Sequence, residues 1–226
     1  MNSLTHCFQT SIGKKQIVAV TGLCLIGFVI GHLAGNLLVY LGPAAYNGYA
    51  HKLAGLRPGL YLVEMALLGI FLVHMYVTAL LVLENMAARP QRYQVEAEKG
   101  KRSWATRLMP YTGSIILAFV IWHLLDFTFV DHNGPRSILS DGKSYELYGV
   151  LYNAFLNPVH SLLYIIAMIA VGLHLSHGVE SFTQTFGFRH PVYAPLVKKF
   201  SDIFAIFVTV GFSGIPVYVL VRNFLR

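Results

Sequence analysis

The chain has 226 residues, 55% of them hydrophobic and only 12% charged. A soluble chain carries roughly 25% charged residues, so a water-soluble globular fold is excluded. Seventeen Lys and Arg against ten Asp and Glu give a net charge of +7, and their placement assigns it to membrane topology and anionic lipid, not to nucleic acid.

The N-terminus begins with polar residues and shows no small-residue cleavage pattern, so it reads as retained and not as a signal peptide. Five segments then reach the ~20 apolar residues that a helix needs to cross a bilayer. They are predicted over 16–40, 60–83, 111–130, 159–182 and 201–221. None alternates as a strand does. The expected fold is all-α and integral to the membrane, one domain over 1–226, with four histidine-bearing helices in a bundle and a fifth accessory helix.

The first span reads TGLCLIGFVIGHL from Thr21 to Leu33, and the third repeats it as TGSIILAFVIWHL from Thr112 to Leu124. Each ends on a histidine, His32 or His123. The second and fourth spans carry His74 and His174. Gly27, Gly31 and Gly35 flank His32, while Gly69 and Gly178 lie near the other two, small enough for a wide ligand to approach the backbone. Single glycines serve ordinary helix contacts as readily. In the fifth span Gly211, Gly214 and Pro216 suggest close packing and a bend.

Between spans, the N-terminus and the segments 84–108 and 183–200 hold Lys14, Lys15, Arg89, Arg92, Lys99, Lys101, Arg102, Arg107, Arg189, Lys198 and Lys199. The other side holds Lys52, Arg57, Arg136, Lys143, Arg222 and Arg226. The positive-inside rule then places the N-terminus in the cytoplasm and the C-terminus outside. Tyr40, Tyr61, Trp104 and Tyr111 sit near span ends, as interfacial aromatics do. The two cysteines, Cys7 and Cys24, indicate neither a disulfide nor a metal site.

Depth pairs the histidines. At 1.5 Å per residue, His32 and His123 lie about 10–12 Å from the outer ends of their helices. His74 and His174 lie about 12–14 Å from the inner ends of theirs. An imidazole in hydrocarbon is costly without a partner, and two from facing helices at one depth make a bis-histidine haem site. Zinc fits less well, since no cysteine or carboxylate joins either pair. His177, one turn from His174, is the competing inner ligand; His174 is preferred for its depth. The four histidine helices contain no internal proline within the predicted spans, unlike the broken helices of many transporters. A proton-relay transporter nevertheless remains an alternative.

Taken together, these motifs resemble the cytochrome b subunit of succinate dehydrogenase and fumarate reductase, the succinate:quinone oxidoreductase family, in the form with one five-helix anchor and two haems b. The resemblance also rests on Ser11-Ile-Gly-Lys-Lys15, Asn85-Met-Ala-Ala-Arg-Pro90, Trp104-Ala-Thr-Arg107 and His174-Leu-Ser-His-Gly-Val-Glu-Ser181. It implies the same ligand pairing, His32 with His123 and His74 with His174. It also implies a plasma-membrane location, a flavoprotein and an iron–sulfur subunit on the cytoplasmic face, and electron exchange with a membrane quinone, taken as menaquinone. The dihaem anchor of a hydrogenase or formate dehydrogenase is the alternative of the same chemistry. Where some menaquinol-oxidising fumarate reductases carry a glutamate two residues before the fourth ligand, this chain has Gly172. Arg107 and Lys15 are candidates to meet haem propionates, although either could serve lipid headgroups. Glu64, near the outer end of the second span, is the candidate acid–base group of a quinone site.

Overall fold

The computed structural model describes residues 10–88, 104–188 and 190–225. Seven α-helices follow one another: α1 Ser11–Asn36, α2 Pro43–Ala54, α3 Gly59–Ala87, α4 Trp104–Phe127, α5 Glu146–Leu156, α6 Pro158–Thr185 and α7 Ala194–Phe224. Five of them, α1, α3, α4, α6 and α7, are long and apolar enough to cross a membrane. Their outward faces carry exposed Leu62, Leu72, Ile121, Ile166 and Ile206. Contiguous apolar surface of that kind belongs against lipid, not water. The chain is an all-helical integral membrane protein, as its composition required.

The helix ends have local causes. Thr10 caps α1 by accepting from the Gly13 amide at 3.1 Å, and Asn157 caps α6 through Val159 and His160, with Pro158 in the first turn. Both are standard N-terminal signals, satisfying amides that have no partner within the helix. The spans are longer than hydropathy predicted. Lys14 and Lys15 lie in the first turns of α1, and Glu84 and Asn85 in the last turn of α3, so polar residues extend both helices beyond the predicted apolar runs. One expectation is corrected here. Because α4 begins at Trp104, Pro110 lies inside a histidine-bearing helix, which nevertheless continues unbroken to Phe127.

Four spans enclose the site. α1 packs against α3 on one side and α6 on the other, and α6 packs against α4. α3 meets α4 only sparsely, leaving a seam. α7 stands outside this ring, against α6 and α1. Its small residues explain how closely it fits. A methyl group on Gly211 would meet Leu33 at 2.9 Å, and one on Gly214 would meet the Tyr40 hydroxyl at 2.7 Å. Gly172 is closer still, since a Cβ there would lie 2.0 Å from Thr209 Oγ1. The absence of glutamate at Gly172 thus has a packing reason: α7 occupies the space that a side chain would need.

The end opposite the N-terminus holds two further helices outside the predicted spans. α2 and α5 form a helical cap joined by Asn47, which donates to the Tyr145 carbonyl at 2.9 Å and accepts from the Tyr148 amide at 3.0 Å. Beneath the cap lies a buried core of Val39, Tyr46, Tyr148, Tyr152, Phe155 and Ile215. Both cap helices are short and mix glycine, asparagine and tyrosine, so neither produces a membrane-type apolar run. Arg89, Arg92, Lys99, Lys101, Arg102, Arg189, Arg226, Cys7 and most of the 84–108 segment lie outside the described residues. The expected orientation therefore rests on sequence.

Gly172→Ala is expected to lower stability in detergent by about 1–3 kcal/mol, the usual cost of overpacking, with recovery when Thr209 is also changed to Ala. Gly48→Ala, within α2 and where an added Cβ meets nothing within 4 Å, should instead raise stability by about 0.5–1 kcal/mol, the helix preference of Ala over Gly.

Candidate functional site

A single cavity of about 2550 Å³ runs between the four ring helices. Ligand pockets commonly measure about 300–1,000 Å³, so this space exceeds what one small molecule fills. All seven residues singled out from sequence line it: His32, His74, His123, His174, Lys15, Arg107 and Glu64. His177 lines it too.

Helical register explains the convergence. Thr21 precedes His32 by eleven residues, and Thr112 precedes His123 by the same interval. Eleven residues are close to three full turns at 3.6 residues each, so threonine and histidine share a helix face about 16 Å apart. The histidines line the cavity, and each threonine hydroxyl reaches a histidine ring that lines it at a second level. At the level away from the N-terminus, His32 and His123 stand four residues before the last residues of α1 and α4. Their ring centroids are 5.7 Å apart, with planes at 87°. Phe28 stacks on His32 at 5.2 Å, and Phe119 tilts against His123 at 5.5 Å. These contacts hold the rings among apolar and aromatic walls.

At the N-terminal level the partners are different. His74 Nδ1 lies 2.9 Å from the Thr21 hydroxyl, and His174 Nδ1 lies 3.2 Å from the Thr112 hydroxyl. The glycine after each threonine keeps space for the ring. A Cβ on Gly22 would sit 3.3 Å from His74 Cε1, and one on Gly113 would sit 3.8 Å from His174 Cε1. His74 and His174 both line the cavity. The repeated Thr-Gly therefore belongs to the site, serving histidines on neighbouring helices. Sequence showed the repeat and its regular interval, but not which ring each threonine meets.

The other flagged residues are placed as follows. Lys14 is buried and bonded to Glu84 of α3, while exposed Lys15 opens onto the cavity near Arg107 in depth. Glu64 is half-exposed and ion-paired with Arg57 at 3.2 Å, a structural role alongside its cavity position. Gly178 and Gly35 both line the cavity, and at Gly35 the Tyr49 ring lies 2.5 Å from where a Cβ would be.

One polar cluster escaped the sequence reading. Asp126, three residues after His123, is buried near the end of α4. It accepts from the Tyr164 hydroxyl at 2.8 Å and from Arg136 at 3.4 Å, and lies 3.2 Å from His160 Nε2. Sequence offered one signal, a carboxylate next to an apolar run at a span end. Its partners come from 10 to 38 residues away and could not be read locally.

The donor set fits a metal held axially within a planar macrocycle. Imidazoles come in twos, and among the described residues no group of three or more His, Cys, Asp or Glu converges. Two nitrogens per level leave the remaining coordination positions to the macrocycle. His123 Nδ1 is buried without a hydrogen-bond partner, an arrangement that favours a function for that ring beyond packing.

Comparison with known proteins agrees with this architecture. The chain is similar to the succinate dehydrogenase cytochrome b558 subunit of Bacillus subtilis (strain 168), with 23% identity over 202 residues, covering 89% of this chain and 92% of that subunit. No family model matches the chain, and no solved structure matches it. The relative bears out the resemblance read from the sequence.

Asp126→Ala should destabilise the protein by about 1–3 kcal/mol, the cost of leaving buried donors unsatisfied. Tyr164→Phe, which removes one of those donors, should cost about 1 kcal/mol. Thermal unfolding in detergent, followed by circular dichroism, checks both values and their order.

Proposed function

We propose that this chain is the membrane-anchoring cytochrome b of a succinate:quinone oxidoreductase, holding two haems b between α1, α3, α4 and α6. The carrying observation is the two-level pairing of imidazoles within one cavity. His32 and His123 form one ligand pair, and His74 and His174 form the other. The similarity to a succinate dehydrogenase cytochrome b558 subunit supports that assignment.

A haem with two histidine ligands supplies reversible one-electron exchange and has no open position for oxygen or substrate. The protein's residues do the remaining work. Four helices fix the imidazoles at two depths, so that charge is carried along the membrane normal. Phe28, Phe119 and the aliphatic walls exclude water and lower the local dielectric. Arg107 and Lys15, at the N-terminal end of the cavity, would hold haem propionates through charge-assisted hydrogen bonds. Glu64, at the other end and beside the Arg57 guanidinium at 3.2 Å, holds or releases the proton that quinone chemistry requires.

In this reading the N-terminus is cytoplasmic and the chain is embedded in the plasma membrane. An iron–sulfur subunit docks on that face beside a flavoprotein carrying the dicarboxylate site. Electrons pass from the iron–sulfur subunit through the His74–His174 level to the His32–His123 level and on to menaquinone, or in reverse.

Purified protein should show b-type absorption bands and copurify with a flavoprotein and an iron–sulfur subunit identified by mass spectrometry. Absence of haem bands would remove the redox reading, and hydrogenase or formate dehydrogenase partners would reassign the complex. His174→Leu should lose one of two spectroscopically distinct haems, the same one lost in His74→Leu. Retention of both would transfer the ligand role to His177. Glu64→Gln should keep both haems while quinone-linked turnover falls about 100-fold, the scale of one general acid–base group. Succinate-dependent reduction of an artificial dye should persist in that variant. Unaltered quinone turnover would remove Glu64 from the site.

A further inference from the structure

We infer that the hydroxyls of Thr21 and Thr112 are positioning residues for the haem of the N-terminal level: each accepts the Nδ1–H of a ligand histidine on the neighbouring helix and so presents the opposite nitrogen, Nε2, to the metal. The inference rests on the dihaem reading above and adds to it the residues that set the ligand rings.

The direction of the two bonds follows from counting protons. A threonine hydroxyl has one proton to donate and two lone pairs. Thr21 Oγ1 lies 2.8 Å from the Ile17 carbonyl and 3.2 Å from that of Val18. Thr112 Oγ1 lies 3.1 Å from the carbonyls of both Leu108 and Met109. Each hydroxyl proton is thereby committed to its own helix, one turn back. What remains toward the ring is a lone pair, so the ring nitrogen must be the donor. His74 and His174 therefore carry their protons on Nδ1, and the lone pair of each stands on Nε2. The bond made by one imidazole nitrogen fixes what the other can do.

The two threonines act across helices. Thr21 of α1 sets His74 of α3, and Thr112 of α4 sets His174 of α6. Each repeated segment therefore supplies a ligand to one level and an acceptor to the other. Gly22 and Gly113 complete the arrangement by leaving the rings space against the helix backbone.

The other level has no such acceptors. The Asn36 side-chain nitrogen lies 3.4–3.5 Å from the His32 ring nitrogens, but an amide NH2 can only donate. Its oxygen is engaged by Tyr46 at 3.3 Å. His123 Nδ1 has no partner. The two ligand pairs are thus chemically unequal, although each consists of two histidines.

A ligand imidazole that donates its second N–H is a more basic donor to the metal, and this favours ferric iron. Removing the acceptor should raise the reduction potential of the haem concerned. The test uses the whole detergent-purified complex, with Thr21→Val, Thr112→Val, Thr21→Ser and Thr112→Ser. Redox titration of the visible bands and low-temperature electron paramagnetic resonance report each haem separately, without reference to turnover. Both valine variants should shift the potential and low-spin signal of the same haem, or release that haem alone, leaving the other as in wild type. Both serine variants, which keep the hydroxyl, should retain wild-type values. Unmoved valine variants, valine variants that shift different haems, or serine variants displaced from wild type would each overturn the inference. A wild-type complex without b-type haem would instead overturn the reading on which it rests, so the two failures are distinguishable.

Discussion

An imidazole ring inside hydrocarbon is costly without a polar partner, and much of the arrangement of this bundle follows from how its rings are met. Outward faces can be leucine, valine and isoleucine because lipid asks nothing more of them. Inward faces must combine space with a few well-placed polar atoms. Two helices meet both needs with a Thr-Gly step at one level and a histidine at the other. The same contacts hold the bundle together. α3 packs chiefly on α1, and its described polar ties to that helix are Thr21 with His74 and Lys14 with Glu84. His74 is here also part of the fastening between two helices.

The architecture divides its labour between middle and end. Between lipid-facing helices there is little hydrophobic driving force for association, because lipid is as apolar as the side chains. The cap of α2 and α5 contributes what the middle lacks: a water-facing apolar core and a dense set of hydrogen bonds around Asn47, Asn153 and Asp126. α7 adds close small-residue contacts along α6 and α1. With the spans braced at one end and along one side, the ring of four helices can leave a large space between them.

What sequence revealed followed from how local each feature is. Span positions came from hydropathy over about 20 residues, and the pairing of histidines by depth came from helical rise alone. The spans reappear as α1, α3, α4, α6 and α7. The cap helices did not register, because Pro43–Ala54 and Glu146–Leu156 are short and their apolar residues are interrupted by glycine, asparagine and charge. Pro110 seemed to precede a helix because hydropathy starts at the membrane boundary, whereas the helix starts earlier. Gly172 looked like a missing glutamate, until the neighbouring helix showed that there is no room for one. Asp126 went unread, since its phenol, guanidinium and imidazole neighbours meet it only after folding.

The sparse contact between α3 and α4 governs how a molecule meets this protein. Met65 of α3 and Tyr111 of α4 line the cavity and are exposed. A seam between two such spans would face the plane of the bilayer. For a lipid-soluble reactant the relevant concentration is then its mole fraction among lipid or detergent molecules, not its amount per volume of water. Adding empty micelles or vesicles at fixed total reactant dilutes that mole fraction, and saturation moves to higher bulk concentration although no protein contact has changed.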